Sequence, residues 1–150
     1  ALPQLGHGRI KGTFRLPGTL NLAANSTWLR LENGANVAVS LTFNSNEQLI
    51  VRSDTGFVGP TALTQTVSWP GGFLPNTDYT VDVAWQRGAY RALTINGVDA
   101  GVVATTAPSM NLVVPNQLRL GIYRYDGDAG TGWSITLKDW ALADGPTVDL

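Results

Sequence analysis

The sequence predicts an all-β protein, an antiparallel β-sandwich of jelly-roll type. Three observations carry this. Apolar and polar residues alternate over short runs, the period of a strand with one buried face. The runs are separated by clusters of Gly, Pro, Asn and Asp, such as "LPG", "ENGAN", "PGGFLPNTD" and "YDGDAGTG". Helical periodicity is absent almost everywhere. Short alternating strands between frequent turns are the pattern of sandwiches and barrels.

The elements follow in order. "RIKGTFRL" (9–16) places Ile10, Phe14 and Leu16 together. "TWLRLE" (27–32) turns Leu29 and Leu31 inward, and Trp28, Arg30 and Glu32 outward. "VAVSLTF" (37–43) sets Val37, Val39, Leu41 and Phe43 on one face and Ala38, Ser40 and Thr42 on the other. "NSNE" is a turn, and "LIVR" begins the next strand. "LRLGIYRY" (118–125) separates Leu118, Leu120 and Ile122 from Arg119, Tyr123 and Tyr125. "WSITLKDW" (133–140) puts Trp133, Ile135 and Leu137 on one side, and Trp140 on the side of Ser134, Thr136 and Lys138. The ends, about 1–8 and 143–150, read as short arms of a single domain spanning 1–150.

The stretch "YTVDVAWQRGAYRALTINGVDAG" (79–101) permits a test of register. Asn96-Gly97 is the strongest signal for a two-residue hairpin turn, because both central residues need positive φ. Ile95 then faces Val98, and Thr94 faces Asp99. Upstream, an odd-length loop sets Val81 against Ile95, Val83 against Leu93 and Trp85 against Arg91. A two-residue loop would put Leu93 on the wrong face. The expected core residues of this meander are Val81, Val83, Leu93, Ile95 and Val98. Its other face carries Asp82, Ala84, Gln86, Tyr90, Ala92, Thr94 and Asp99.

At 150 residues the chain suits one domain that buries about 70% of its unfolded surface. It contains no cysteine, which excludes disulfides and thiolate metal sites. Charged residues are 14% and the net charge is −1, so no basic face is expected for nucleic acid and no attraction to an anionic membrane. No apolar run approaches the roughly 20 residues of a membrane-spanning helix. The chain opens on Ala1 rather than Met, and processing or trimming is the expectation.

"LPNTDYTVDVAWQRGAYRALTINGV", followed by "LRLGIYRYDGDAGTGWSITLKDWAL", resembles the concanavalin A-like lectin/glucanase superfamily, especially its laminin-G-like domains. The resemblance covers roughly residues 9 to 142. It implies two curved antiparallel sheets in a jelly roll. The superfamily includes lectins, adhesion domains, virion proteins, glycosidases and polysaccharide lyases, so the fold alone selects no function.

A glycosidase needs two carboxylates close together on one strand face. The chain offers Glu32 and Glu47, far apart in sequence, and no Glu-x-Asp-x-x-Glu pattern. Resemblance to the lyases of the fold implies a catalytic role at Tyr123, but their chemistry also wants a base, and the one histidine, His7, sits in the terminal "LGHG". No catalytic residue is therefore expected. In "YDGDAGTG", Asp126 and Asp128 alternate as the opening ligands of a calcium loop do, without the remaining ligands of an EF-hand. An Asp/Gly-rich turn is the simpler reading. "NST" (25–27) is an N-glycosylation sequon, meaningful in a eukaryotic secretory route.

Exposed aromatics are the better functional lead, because the C–H faces of sugars stack on rings while polar neighbours bond the hydroxyls. Strand parity nominates Trp28, Arg119, Tyr123 and Tyr125. The expectation is a non-catalytic lectin-like module for glycan binding or adhesion, on an extracellular or virion surface. A structural, decoration or attachment protein of a phage particle is the alternative, and a polysaccharide lyase the third. Expected partners are a glycan or other protein subunits, with homo-oligomers or assembly through the terminal arms. No cofactor is expected beyond calcium at Asp126 and Asp128.

Overall fold

The computed structural model describes residues 7–18, 26–34, 36–44, 46–54, 62–67, 69–86, 90–100, 117–123 and 134–144. These form ten strands and, among the described residues, no helix: β1 (His7–Arg15), β2 (Ser26–Asn33), β3 (Asn36–Phe43), β4 (Leu49–Asp54), β5 (Ala62–Thr66), β6 (Asp78–Gln86), β7 (Tyr90–Ile95), β8 (Val98–Asp99), β9 (Gln117–Tyr123) and β10 (Thr136–Asp144). They make two antiparallel five-stranded sheets, β10-β1-β6-β7-β8 and β5-β4-β3-β2-β9. The chain changes sheet after β1, β5, β8 and β9. This is the all-β sandwich expected from the alternation.

One apolar cluster fills the space between the sheets. Ile10, Phe14, Val81, Val83, Leu93 and Ile95 come from the first sheet, and Leu29, Leu31, Val39, Leu41, Phe43 and Val51 from the second. Each such side chain, fully buried, contributes about 1.5–3 kcal/mol of transfer free energy. That gain offsets the entropy of ordering the chain.

The meander has the register that its apolar pattern demanded. Val81 pairs with Ile95, Val83 with Leu93, Trp85 with Arg91 and Gln86 with Tyr90, so an odd number of residues separates the last pair, as expected. Asn96 and Gly97 have φ of 51° and 76°, as a type I′ turn requires. Ile95 pairs with Val98 and Thr94 with Asp99. The turn is fastened to β6: Thr80 N–H donates to Asn96 Oδ1 and Asn96 N–H to Thr80 O, each at 2.8 Å. One core assignment changes. Val98 is 58% exposed, because β8 is only two residues long at the sheet edge. Trp85, which the register sets on the face of Val81 and Val83, is fully buried, lying so close over Gly8 that a Cβ there would meet its ring at 2.4 Å.

Three bulges overturn the strict alternation assumed for β2, β3 and β10. In β2, Thr27 pairs with Thr42 and Leu29 with Leu41, so Trp28 is an extra residue. Trp28 and Leu29 are then both fully buried, and Trp28 does not face solvent as expected. In β3 the register shifts opposite Leu31 and Glu32, so Ala38 joins the core cluster while Val37 does not and pairs with Glu32. In β10, Asp139 and Trp140 together oppose Gly12. Asp139 takes φ of 54°, and Trp140 swings inward instead of joining Thr136 and Lys138 on the polar face. A Cβ on Gly12 would come within 2.2 Å of the Trp140 ring, so glycine is what makes room for it. The two tryptophans meet edge to face, centroids 5.9 Å apart.

The terminal strands reach further than expected. His7 and Gly8 pair with Gln86 and Trp85, and Gly8 with Asp144. Residues 7–8 and 143–144, assigned to arms, are therefore strand.

Candidate functional site

Of the residues nominated by strand parity, the two whose side chains are described, Trp28 and Arg119, do not share a surface. Trp28 has no exposed area and touches Phe14, Phe43 and Trp140. Its bulge removes it from any face that a ligand reaches. Arg119 is exposed on β9, with its Nε 2.5 Å from Glu32 Oε1. The backbone of Tyr123 pairs with Thr27. Tyr125, Asp126 and Asp128 lie outside the described residues. Glu32, 2% exposed, is also ion-paired with Arg30, itself 5% exposed. The two glutamates weighed for hydrolysis sit on different elements, Glu32 in β2 and Glu47 in the β3–β4 turn. Among the described residues no group of three metal-ligating side chains occurs.

A different site is present. Three connections meet around an open cleft of about 720 Å³: the segment after β1 at Gly18, the β3–β4 turn at Asn46–Gln48, and the β5–β6 connection from Val67 to Pro75. This is within the range of roughly 300–1,000 Å³ typical of small-molecule sites. Trp69 and Phe73 supply its aromatic wall, and Asn46, Glu47 and Gln48 its polar rim.

Local sequence explains the position of Trp69. In "WPGGF", Trp69 O accepts the Gly72 N–H at 3.0 Å, with Pro70 and Gly71 (φ 77°) between. That is the arrangement of a type II turn, in which proline fixes the first central φ and glycine permits the second. The turn projects Trp69 from the end of an aromatic row. Trp69 lies parallel to Phe73 at 6.0 Å and edge-on to Tyr79 at 6.1 Å. Phe73 in turn packs edge-on to Phe43 at 5.3 Å, and Phe43 on Trp28. Phe73 is 6% exposed, while Trp69 is half-buried. The hydroxyl of Tyr79 accepts the Leu74 N–H at 2.8 Å and ties the connection down.

The rim is equally fixed. Asn44 Oδ1 accepts the N–H groups of Asn46 (3.0 Å) and Gln48 (2.9 Å), and Asn44 Nδ2 donates to Gln48 Oε1 at 3.0 Å. The Glu47 N–H donates to Asn44 O at 3.0 Å. Glu47 is held at φ 61°, a left-handed conformation uncommon for glutamate. Non-glycine residues in that region cluster at functional sites. In the sequence "NSNE" and "PGGF" read only as turns; the one local signal for a site is an aromatic residue placed directly before Pro-Gly-Gly.

No protein-family model matches the chain. No curated protein matches it either. Many solved structures share its fold. The receptor-binding domain of botulinum neurotoxin D superposes with a TM-score of 0.68 at 14% identity, over 93% of this chain and 34% of that one. The ligand-binding domain of serotype D in complex with N-acetylneuraminic acid gives 0.66 at 13% identity, over 92% and 33%. A Trypanosoma rangeli sialidase mutant displaying trans-sialidase activity gives 0.64 at 13% identity, over 92% and 20%. The chain thus spans between a fifth and about a third of the length of these structures, and the likeness is one of fold.

Proposed function

We propose that the protein is a non-catalytic, lectin-like module that binds a glycan in the cleft beside Trp69. The observation that carries this reading is the half-buried indole on a fixed type II turn, set against a rim of two amides and one carboxylate. An aromatic face takes the C–H side of a pyranose, and amides and carboxylates bond its hydroxyls. Because both walls are held by hydrogen bonds, little ordering entropy is lost on binding. The similar solved structures lend support in kind, since one was obtained with N-acetylneuraminic acid and another is a sialidase. Both belong to longer proteins, so their ligands are a guide to class alone. The concanavalin A-like resemblance and an extracellular setting accord with this reading.

The test is a glycan array followed by titration of the best ligand, with the wild-type protein and Trp69→Ala. The substitution is expected to weaken binding at least tenfold, because losing the ring's contact and buried area costs about 1.4 kcal/mol or more, and each 1.4 kcal/mol is a factor of ten in affinity. An array with no binder, or binding indifferent to Trp69→Ala, rejects the proposal.

A further inference from the structure

We infer that the cleft selects neutral or amino sugars and rejects acidic ones, an inference that rests on the glycan-binding reading above. The ground is Glu47. It is the one ionisable side chain among the described lining residues, which include no Arg, Lys or His. It is exposed, and its carboxylate has no hydrogen-bond or ion-pair partner among the described residues. Its place is set by the Asn44-anchored turn, in a backbone conformation that disfavours glutamate. Asparagine and glycine adopt this left-handed position at lower cost than glutamate.

A carboxylate so placed accepts two adjacent hydroxyls of one pyranose, or pairs with the ammonium of an amino sugar. It repels a sialate, uronate or sulfate seated on the same ring, because a like charge close by is left uncompensated. The cleft therefore differs in ligand charge from the serotype D domain solved with N-acetylneuraminic acid.

The experiment titrates the intact chain with four probes: lactose, a chitosan oligosaccharide, sialyllactose and an oligoglucuronate. Lactose or the chitosan oligosaccharide is expected to bind at least tenfold more tightly than either acidic probe. Added salt is expected to weaken the chitosan interaction selectively, because screening acts on the ion pair. Glu47→Gly keeps the left-handed turn and so preserves the fold; it is expected to lower binding of the preferred probe and narrow its margin over sialyllactose. Acidic probes bound equally or better, with that binding lost in Trp69→Ala, overturn the charge selection and leave the glycan reading standing. Full binding retained in Glu47→Gly also overturns it. No probe bound, or binding unchanged by Trp69→Ala, overturns the glycan reading itself.

Discussion

The β6–β7–β8 meander and the pair β2 and β10 are built from similar alternating sequences, yet they behave differently. In the meander, side chains alternate without interruption from Val81 to Val83 and from Leu93 to Ile95, and the pairing follows that pattern residue by residue. In β2 and β10 a single bulged position reverses the alternation: Trp28 goes from the expected polar face into the core, and Trp140 from the expected polar face to a half-buried place packed against it. Alternation fixes which residues share a face only as long as no residue is inserted. In this chain that condition fails at Trp28 and at Asp139-Trp140.

The largest effect that separates the two regions is expected at Trp28. If its bulge makes it core, Trp28→Ala lowers the free energy of unfolding by about 3–5 kcal/mol. Urea denaturation measures this, and a loss below about 1 kcal/mol would mean that the ring faces solvent after all. Glycan affinity of the folded fraction should stay unchanged, in contrast to Trp69→Ala.

A smaller pair of effects has opposite signs. Gly97 and Asp139 both have positive φ, one in the meander turn and one at the β10 bulge. Gly97→Ala forces a Cβ into a left-handed turn and is expected to cost about 1–2 kcal/mol. Asp139→Gly relieves the same strain and is expected to stabilise by roughly 0.5–1 kcal/mol. Thermal melts of both variants test the contrast, which equal signs would abolish.

The smallest effect concerns the link between the regions. Asp78, at the start of β6, receives hydrogen bonds from Arg15 Nη1 at 2.9 Å and Lys138 Nζ at 3.1 Å, beside the β10 bulge. The Arg15 bond first, then that of Lys138, holds its carboxyl below the ordinary range. A depressed carboxylate contributes stability that is present above its unfolded pKa of about 3.9 and is lost as pH falls through the lower folded value. The pair is exposed, so the contribution is small and falls with salt. Unfolding curves between pH 2 and pH 5 should be slightly less acid-sensitive in Asp78→Asn; identical curves would remove Asp78 from the account.

The sheet content, the meander register and the I′ turn were legible because each rests on local patterning and on residues with distinct φ preferences. The cleft was not, because it is assembled from three connections far apart in sequence, at Gly18, Glu47 and Trp69. Nothing in "NSNE" alone says that it faces an indole. The polar face of β2 was misjudged for another reason. Arg30 and Glu32 occupy that face as expected, but both are buried, and only tertiary structure reveals such cover.

The β10 bulge has one more consequence, for how the molecule meets copies of itself. β10 is an edge strand of nine residues, and β8 at the opposite edge has two. A long, flat edge offers unpaired backbone groups to any passing strand, and a two-residue one offers almost none. The left-handed Asp139 breaks the regular spacing of those groups midway along β10, with Lys138 beside it. Among the described residues, the irregularity that packs Trp140 against the core thus also interrupts the longer border of this sheet, a feature of the kind by which edge strands resist pairing with other chains.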